Sequence, residues 1–86
     1  MILAVDIGNT NIVIGGFQDN FLFTERISTN HNRTAREYYI GIKNILSFNH
    51  IRFDIIEGAV ISSVVPSVTG TVEKALSELT EEKSLL

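Results

Sequence analysis

Two short apolar runs open the chain, ILAVDI at residues 2–7 and NIVIGGF at residues 11–17. Both are rich in β-branched residues and of strand length, so both are read as strands. A third run, FLFTERIS at residues 21–28, follows across Asp19 and Asn20. These two side chains tolerate the left-handed backbone region, which predicts a hairpin there. The result is an antiparallel meander of three strands. Gly15 and Gly16 fall inside the second run, where glycine weakens a strand and so signals a bulge or a close backbone approach.

The period then changes. After the polar loop STNHNR, Thr34 is followed three residues on by Glu37, the reciprocal capping pattern of a helix start. Ala35, Tyr38, Tyr39, Ile42, Ile45 and Leu46 recur at helical spacing to about Asn49 and predict a core-facing stripe, with Arg36, Lys43 and Asn44 toward water. The tyrosines are read as packing residues rather than nucleotide-stacking ones. The run AVISSVV is nearly continuous in small and β-branched residues, the pattern of a strand buried on both faces and parallel to the first. Pro66 suits a first helical turn, and Val68, Val72, Ala75, Leu76 and Leu79 predict a second helix ending near Thr80.

The order βββαβα describes an α/β unit: a three-stranded meander, a crossover helix packed on one face by the right-handed rule, a parallel strand and a final helix. The fourth strand, hydrophobic on both sides, would lie at a sheet edge unless another strand paired with it. The final stretch TEEKSLL carries no turn or tail signal. The expected organisation is therefore the front portion of a larger α/β domain, spanning residues 1–86.

Between the first two strands lies a polar knot, DIGNTN. A tight turn accounts for Gly8 and one asparagine through positive φ angles, but leaves Asp6, Thr10 and the second asparagine unexplained. One reading is a plain hairpin, in which Asp6 accepts hydrogen bonds from turn amides and Asn9 and Thr10 make the bend. The other is a phosphate site. Turn amides and the Thr10 hydroxyl can donate to phosphate oxygens, and Gly8 permits close approach. Asp6 would then oppose the phosphate charge unless a divalent cation intervened, as Mg²⁺ does when it binds through a carboxylate and substrate phosphates. A charge ending an apolar strand favours this reading, because burial without a partner is costly.

Composition narrows the class. At 86 residues and 44% hydrophobic, the chain is one small globular unit with a modest core. A net charge of −3, with its cations dispersed, offers no general attraction to nucleic acid or anionic lipid. There is no cysteine, hence no disulfide or thiolate metal site. His31 and His50 lie apart in polar sequence and read as surface residues. Neither a secretory signal pattern nor a membrane-length apolar run is evident, so a cytoplasmic location and no membrane partner are expected.

DIGNTNIVIGGF resembles the first phosphate motif of the superfamily of acetate kinase, the sugar kinases, the heat-shock ATPases and actin. The D-x-G-N-T form looks like that of type III pantothenate kinases, and ISSVVPSV at residues 61–68 is similar to that family's segment at the end of the fourth strand. The resemblance implies a partial ribonuclease H-like domain, with a second domain absent from these residues. It also implies ATP-dependent phosphorylation of pantothenate, the first step of coenzyme A biosynthesis. ATP, Mg²⁺ and a monovalent cation (K⁺ or NH₄⁺) would be the cofactors, and a homodimer the assembly. Residue by residue, Asp6, Ile7, Gly8, Asn9, Thr10, Asn11, Ile12 and Val13 match the ATP phosphate-binding stretch, with Asp6 holding Mg²⁺ through water. Ser62, Ser63 and Pro66 keep a mainly structural reading.

The sequence departs from the family's pattern: it is about a third of the family's length, and the further carboxylate for a monovalent cation and the second domain do not occur in it. The G-x-D-R motif, whose aspartate is expected as general base beside pantothenate, does not occur in the 86 residues, so no catalytic residue is assigned here. Phosphoryl transfer needs both partners positioned and their charge neutralised, which half a cleft does not provide. The isolated chain is expected to be inactive. Alternatives are a non-catalytic regulatory protein of the same fold and another kinase of the superfamily.

Overall fold

The strand at the centre of the sheet, β1 (Ile2–Ile7), buries Leu3, Val5 and Ile7 almost completely and turns Ile2, Ala4 and Asp6 to the opposite face. This period of two follows from the pleat. In the computed structural model, which describes residues 1–84 and side chains as far as Thr80, β1 is paired on both sides. On one side it runs antiparallel to β2 (Asn11–Gln18), which pairs in turn with β3 (Asn20–Ser28). On the other it runs parallel to β4 (Gly58–Ser63), giving the sheet order β3-β2-β1-β4. The α/β order βββαβα expected from the sequence is the one observed, with a short 3₁₀ turn at Phe53–Ile55 that the apolar pattern did not signal.

Helix α1 (Ala35–Phe48) begins where the capping pattern placed it. The Thr34 hydroxyl accepts the Glu37 amide at 3.1 Å, and the Glu37 carboxylate accepts the Thr34 amide at 2.9 Å. Its stripe Tyr38, Tyr39, Ile42 and Leu46 is buried, with Ile45 packed at the margin. Helix α2 (Pro66–Ser84) buries Val68, Val72, Ala75, Leu76 and Leu79 and runs past the expected end at Thr80. The side chains of residues 81–86, including most of TEEKSLL, lie outside the described residues. Both helices cover the face that holds Leu3, Val5, Ile7, Ile12, Ile14 and Phe23, and they form one core with it. None of the described helices is long and apolar enough to cross a membrane.

The opposite face of the sheet is bare, which corrects the expectation that β4 is buried on both sides. Val60 is 61% exposed and Val64 70%, because β4 is an edge strand with helices on one side only. Its hydrophobic run describes what the strand can bury, not what these residues bury.

The glycine pair does both things expected of it. The β2–β3 register shifts between Gly16 and Phe17. Rings also lie against both glycines: a Cβ on Gly15 would stand 2.9 Å from the Phe21 ring, and one on Gly16 would run into the Phe23 ring and come within 2.9 Å of the Met1 sulfur. The hairpin turn uses a positive φ at Asp19 (66°) alone, and Asn20 already belongs to β3.

Two outcomes test this packing. Gly16→Ala should lower unfolding stability in urea by about 1–3 kcal/mol, since the added methyl overpacks a filled position. The hydrogen bonds from Thr34 hold the Glu37 carboxyl below its ordinary value of 4.5. A lowered folded-state value means its contribution is present above the unfolded value and lost as pH falls through the lowered one. Wild type should therefore lose more stability across that acidic window than Glu37→Gln does, as read from urea midpoints against pH.

Candidate functional site

The C-terminal ends of β1 and β4 lie side by side, Asp6 opposite Ser62 and Ile7 opposite Ser63 in the parallel ladder. Open α/β sheets place ligands at this end of their strands. Three segments leave from it: the turn Gly8–Asn11 into β2, the loop that follows β3, and the short link from β4 into α2.

The turn is built without left-handed residues. No glycine has positive φ among the described residues, so Gly8 is not there for its dihedral freedom. Its amide donates to the Asn11 carbonyl at 2.9 Å, and a Cβ at Gly8 would stand 3.1 Å from that same oxygen. What the position requires is the missing side chain. Asn9 and Thr10 are exposed, and neither their main-chain amides nor their side chains make a hydrogen bond among the described residues. The carbonyls of Gly8 and Thr10, in contrast, are both engaged by Thr29 from beyond β3.

Asp6 is exposed on the bare face, with no ion pair or side-chain hydrogen bond among the described residues. The argument that burial would force a counter-charge on it therefore does not apply: strand parity puts its two neighbours, Val5 and Ile7, into the core and leaves Asp6 in solvent. Nor does it accept the turn amides, as the plain hairpin required. Asp6 and Ser62 line, with Ala4, Val13, Gly15, Phe21 and Val60, a groove of about 470 Å³ on the bare face.

The expected site residues divide by parity. Asp6, Gly8, Asn9 and Thr10 gather at the strand ends, and Asn11 and Val13 are half-buried beside them. Ile7 and Ile12 point into the core at 0% and 1% exposure, so they can offer a ligand only main-chain atoms. Among the described residues no three His, Asp or Glu side chains cluster as a metal site. A lone carboxylate suits a hydrated cation shared with a ligand better than a protein-only cage.

Ser63 and Pro66 keep the structural role expected of them. The Ser63 hydroxyl accepts the Val65 amide at 3.0 Å and the Thr69 hydroxyl at 2.8 Å, tying the strand end to the first turn of α2, which Pro66 opens. Ser62 is exposed next to Asp6. Both histidines are exposed, His50 with φ 59° after α1 and His31 with Nδ1 3.1 Å from the Ser67 hydroxyl. Tyr38 and Tyr39 are core residues, at 1% and 6% exposure. Thr29 was not legible as a site residue, since it lies 21 positions from the turn it holds and sits in a loop-like run.

The model of the type III pantothenate kinase family matches residues 2–85. Among curated relatives, a type III pantothenate kinase from an Exiguobacterium species is 41% identical over 75 residues, covering 86% of this chain and 30% of the relative. One from Finegoldia magna is 39% identical over 79 residues, covering 91% and 30%. One from Brevibacillus brevis is 36% identical over 87 residues, covering 100% and 34%. The chain thus spans about a third of the length of the curated relatives it matches.

The strand-to-helix junction gives a direct check on this geometry. Removing the Ser63 acceptor by Ser63→Ala should cost about 1 kcal/mol of unfolding stability, because the half-buried Val65 amide loses its partner. Calorimetric melting of the variant measures it.

Proposed function

Because the chain belongs to the type III pantothenate kinase family, we propose that it supplies the phosphate-binding wall of a site for ATP-dependent phosphorylation of pantothenate. The observation that carries this reading is the turn after β1, where two adjacent exposed residues, Asn9 and Thr10, present unused donors while the neighbouring carbonyls are held away. Donors without protein acceptors suit an anion.

In this proposal the Asn9 and Thr10 amides and the Thr10 hydroxyl donate to phosphate oxygens of ATP. Gly8 keeps the turn narrow enough for them to converge. Asp6, exposed one strand-end away, would hold hydrated Mg²⁺, which when bound neutralises phosphate charge. The first turn of α2 opens at the same end of the sheet and adds partial positive charge there. The pantothenate-binding groups, the general base, the ligands of a monovalent cation (K⁺ or NH₄⁺) and the homodimer contacts are assigned to residues outside these 86. A cytoplasmic location with no nucleic acid or membrane partner belongs to the same proposal, in keeping with the net charge of −3.

The test is titration of Mg·ATP into the 86-residue chain by calorimetry or NMR, beside Asp6→Asn. Wild type should bind weakly and the variant at least about tenfold more weakly, a loss of about 1.4 kcal/mol. Equal binding by both would remove Asp6 from the metal role. With pantothenate and Mg·ATP present, the chain alone should give no phosphopantothenate, and robust turnover would overturn the assignment of the base elsewhere.

A further inference from the structure

The turn Gly8–Asn11 has only one hydrogen bond of its own, from the Gly8 amide to the Asn11 carbonyl. Two of its carbonyls are held by a single residue beyond β3. The Thr29 hydroxyl donates to the Gly8 carbonyl at 2.7 Å, and the Thr29 amide donates to the Thr10 carbonyl at 2.9 Å. One residue therefore takes the carbonyls on both sides of Asn9.

Those two carbonyl oxygens are the groups a phosphate must not meet. In a trans peptide the carbonyl of one residue and the amide of the next share a plane and point opposite ways. Holding the Gly8 and Thr10 oxygens toward Thr29 thus turns the Asn9 and Asn11 amides the opposite way and keeps those two negative dipole ends away from them. Thr29 is itself held. The next residue, Asn30, is bracketed by the Tyr38 hydroxyl, which accepts its amide at 3.1 Å and donates to its carbonyl at 3.0 Å. The Tyr38 ring is 1% exposed, locked in the core by α1. The residue before, Ser28, has its carbonyl held at 3.0 Å by Arg33, whose guanidinium stacks 5.1 Å from the same ring.

We infer that Thr29 is a positioning residue for phosphate binding: it orients the Asn9–Thr10 turn from behind and fastens it, through Asn30 and Tyr38, to helix α1. The inference rests on the phosphate reading of the turn given above. Thr29 touches no ligand in this role. It lowers the ordering cost of binding by fixing the turn beforehand.

The experiment compares wild type, Thr29→Val and Thr29→Ser in the 86-residue chain. Valine keeps the branched shape and deletes only the hydroxyl donor, while serine restores it. Two quantities are read by NMR: hydrogen-exchange protection of the Gly8 amide against that of core amides such as Leu46, and the dissociation constant for Mg·ATP. Thr29→Val should lose about tenfold in Gly8 protection and about tenfold in affinity, with Leu46 protection unchanged and Thr29→Ser near wild type, as deletion of one hydrogen bond predicts. If wild type binds and Thr29→Val binds equally well, the positioning role is overturned and the phosphate reading survives. If Leu46 protection falls in step with that of Gly8, Thr29 is a general stability residue and the inference fails. If wild type does not bind while Thr29→Val still frees Gly8, the phosphate reading falls, and the positioning role with it.

Discussion

The parity of β1 is the constraint on which the rest depends. It is the one strand whose neighbours on both sides are strands of different direction, β2 antiparallel and β4 parallel, and its odd-numbered residues carry the core. A slip of one residue would exchange Leu3, Val5 and Ile7 for Ile2, Ala4 and Asp6 and bury a carboxylate under the helices. The apolar cost of that exchange fixes the register, and the register fixes Asp6 at the open side of the strand end. The one carboxylate of β1 is thus positioned by the hydrophobic residues on its other face.

The second level of organisation is polar and local to the strand ends. Ser63, Thr29 and Tyr38 each use one hydroxyl to satisfy main-chain groups that would otherwise be left at the boundary of the core. Ser63 joins β4 to α2, and Thr29 joins the turn after β1 to the loop after β3. Asn9 and Thr10, exposed in that turn, keep donors that no described residue takes up. The site is defined as much by which groups are satisfied as by which are free.

Much of this was legible in the sequence where a period reports on burial. The alternation of β1 and β2, the helical stripe of α1 with its Thr34–Glu37 cap, the stripe of α2 and the glycine bulge are local consequences of side-chain direction. The family motif gave the site residues their place at the turn. What sequence reasoning missed depends on partners distant along the chain. The β4 run could not tell whether its second face is covered, and α2 continued past Thr80, where its apolar stripe ends. Gly8 answered to a carbonyl three residues on rather than to a positive φ, and Thr29 had no signal at all because a threonine in a polar loop looks like any other.

The two pairings of β1 differ in how far apart their partners lie along the chain. The meander β1-β2-β3 closes through short turns, whereas Ile2 must find Gly58 after a hairpin, a loop and a helix have intervened. Loop-closure entropy makes such distant parallel pairing slow and places it after the local hairpins. The separation predicts that Ser62 reaches Asp6 after the hairpins have formed, together with α2, whose first turn opens at the same strand ends. The turn after β1 can exist as soon as the hairpins do, but its setting is finished only when the most remote contact of the sheet has formed.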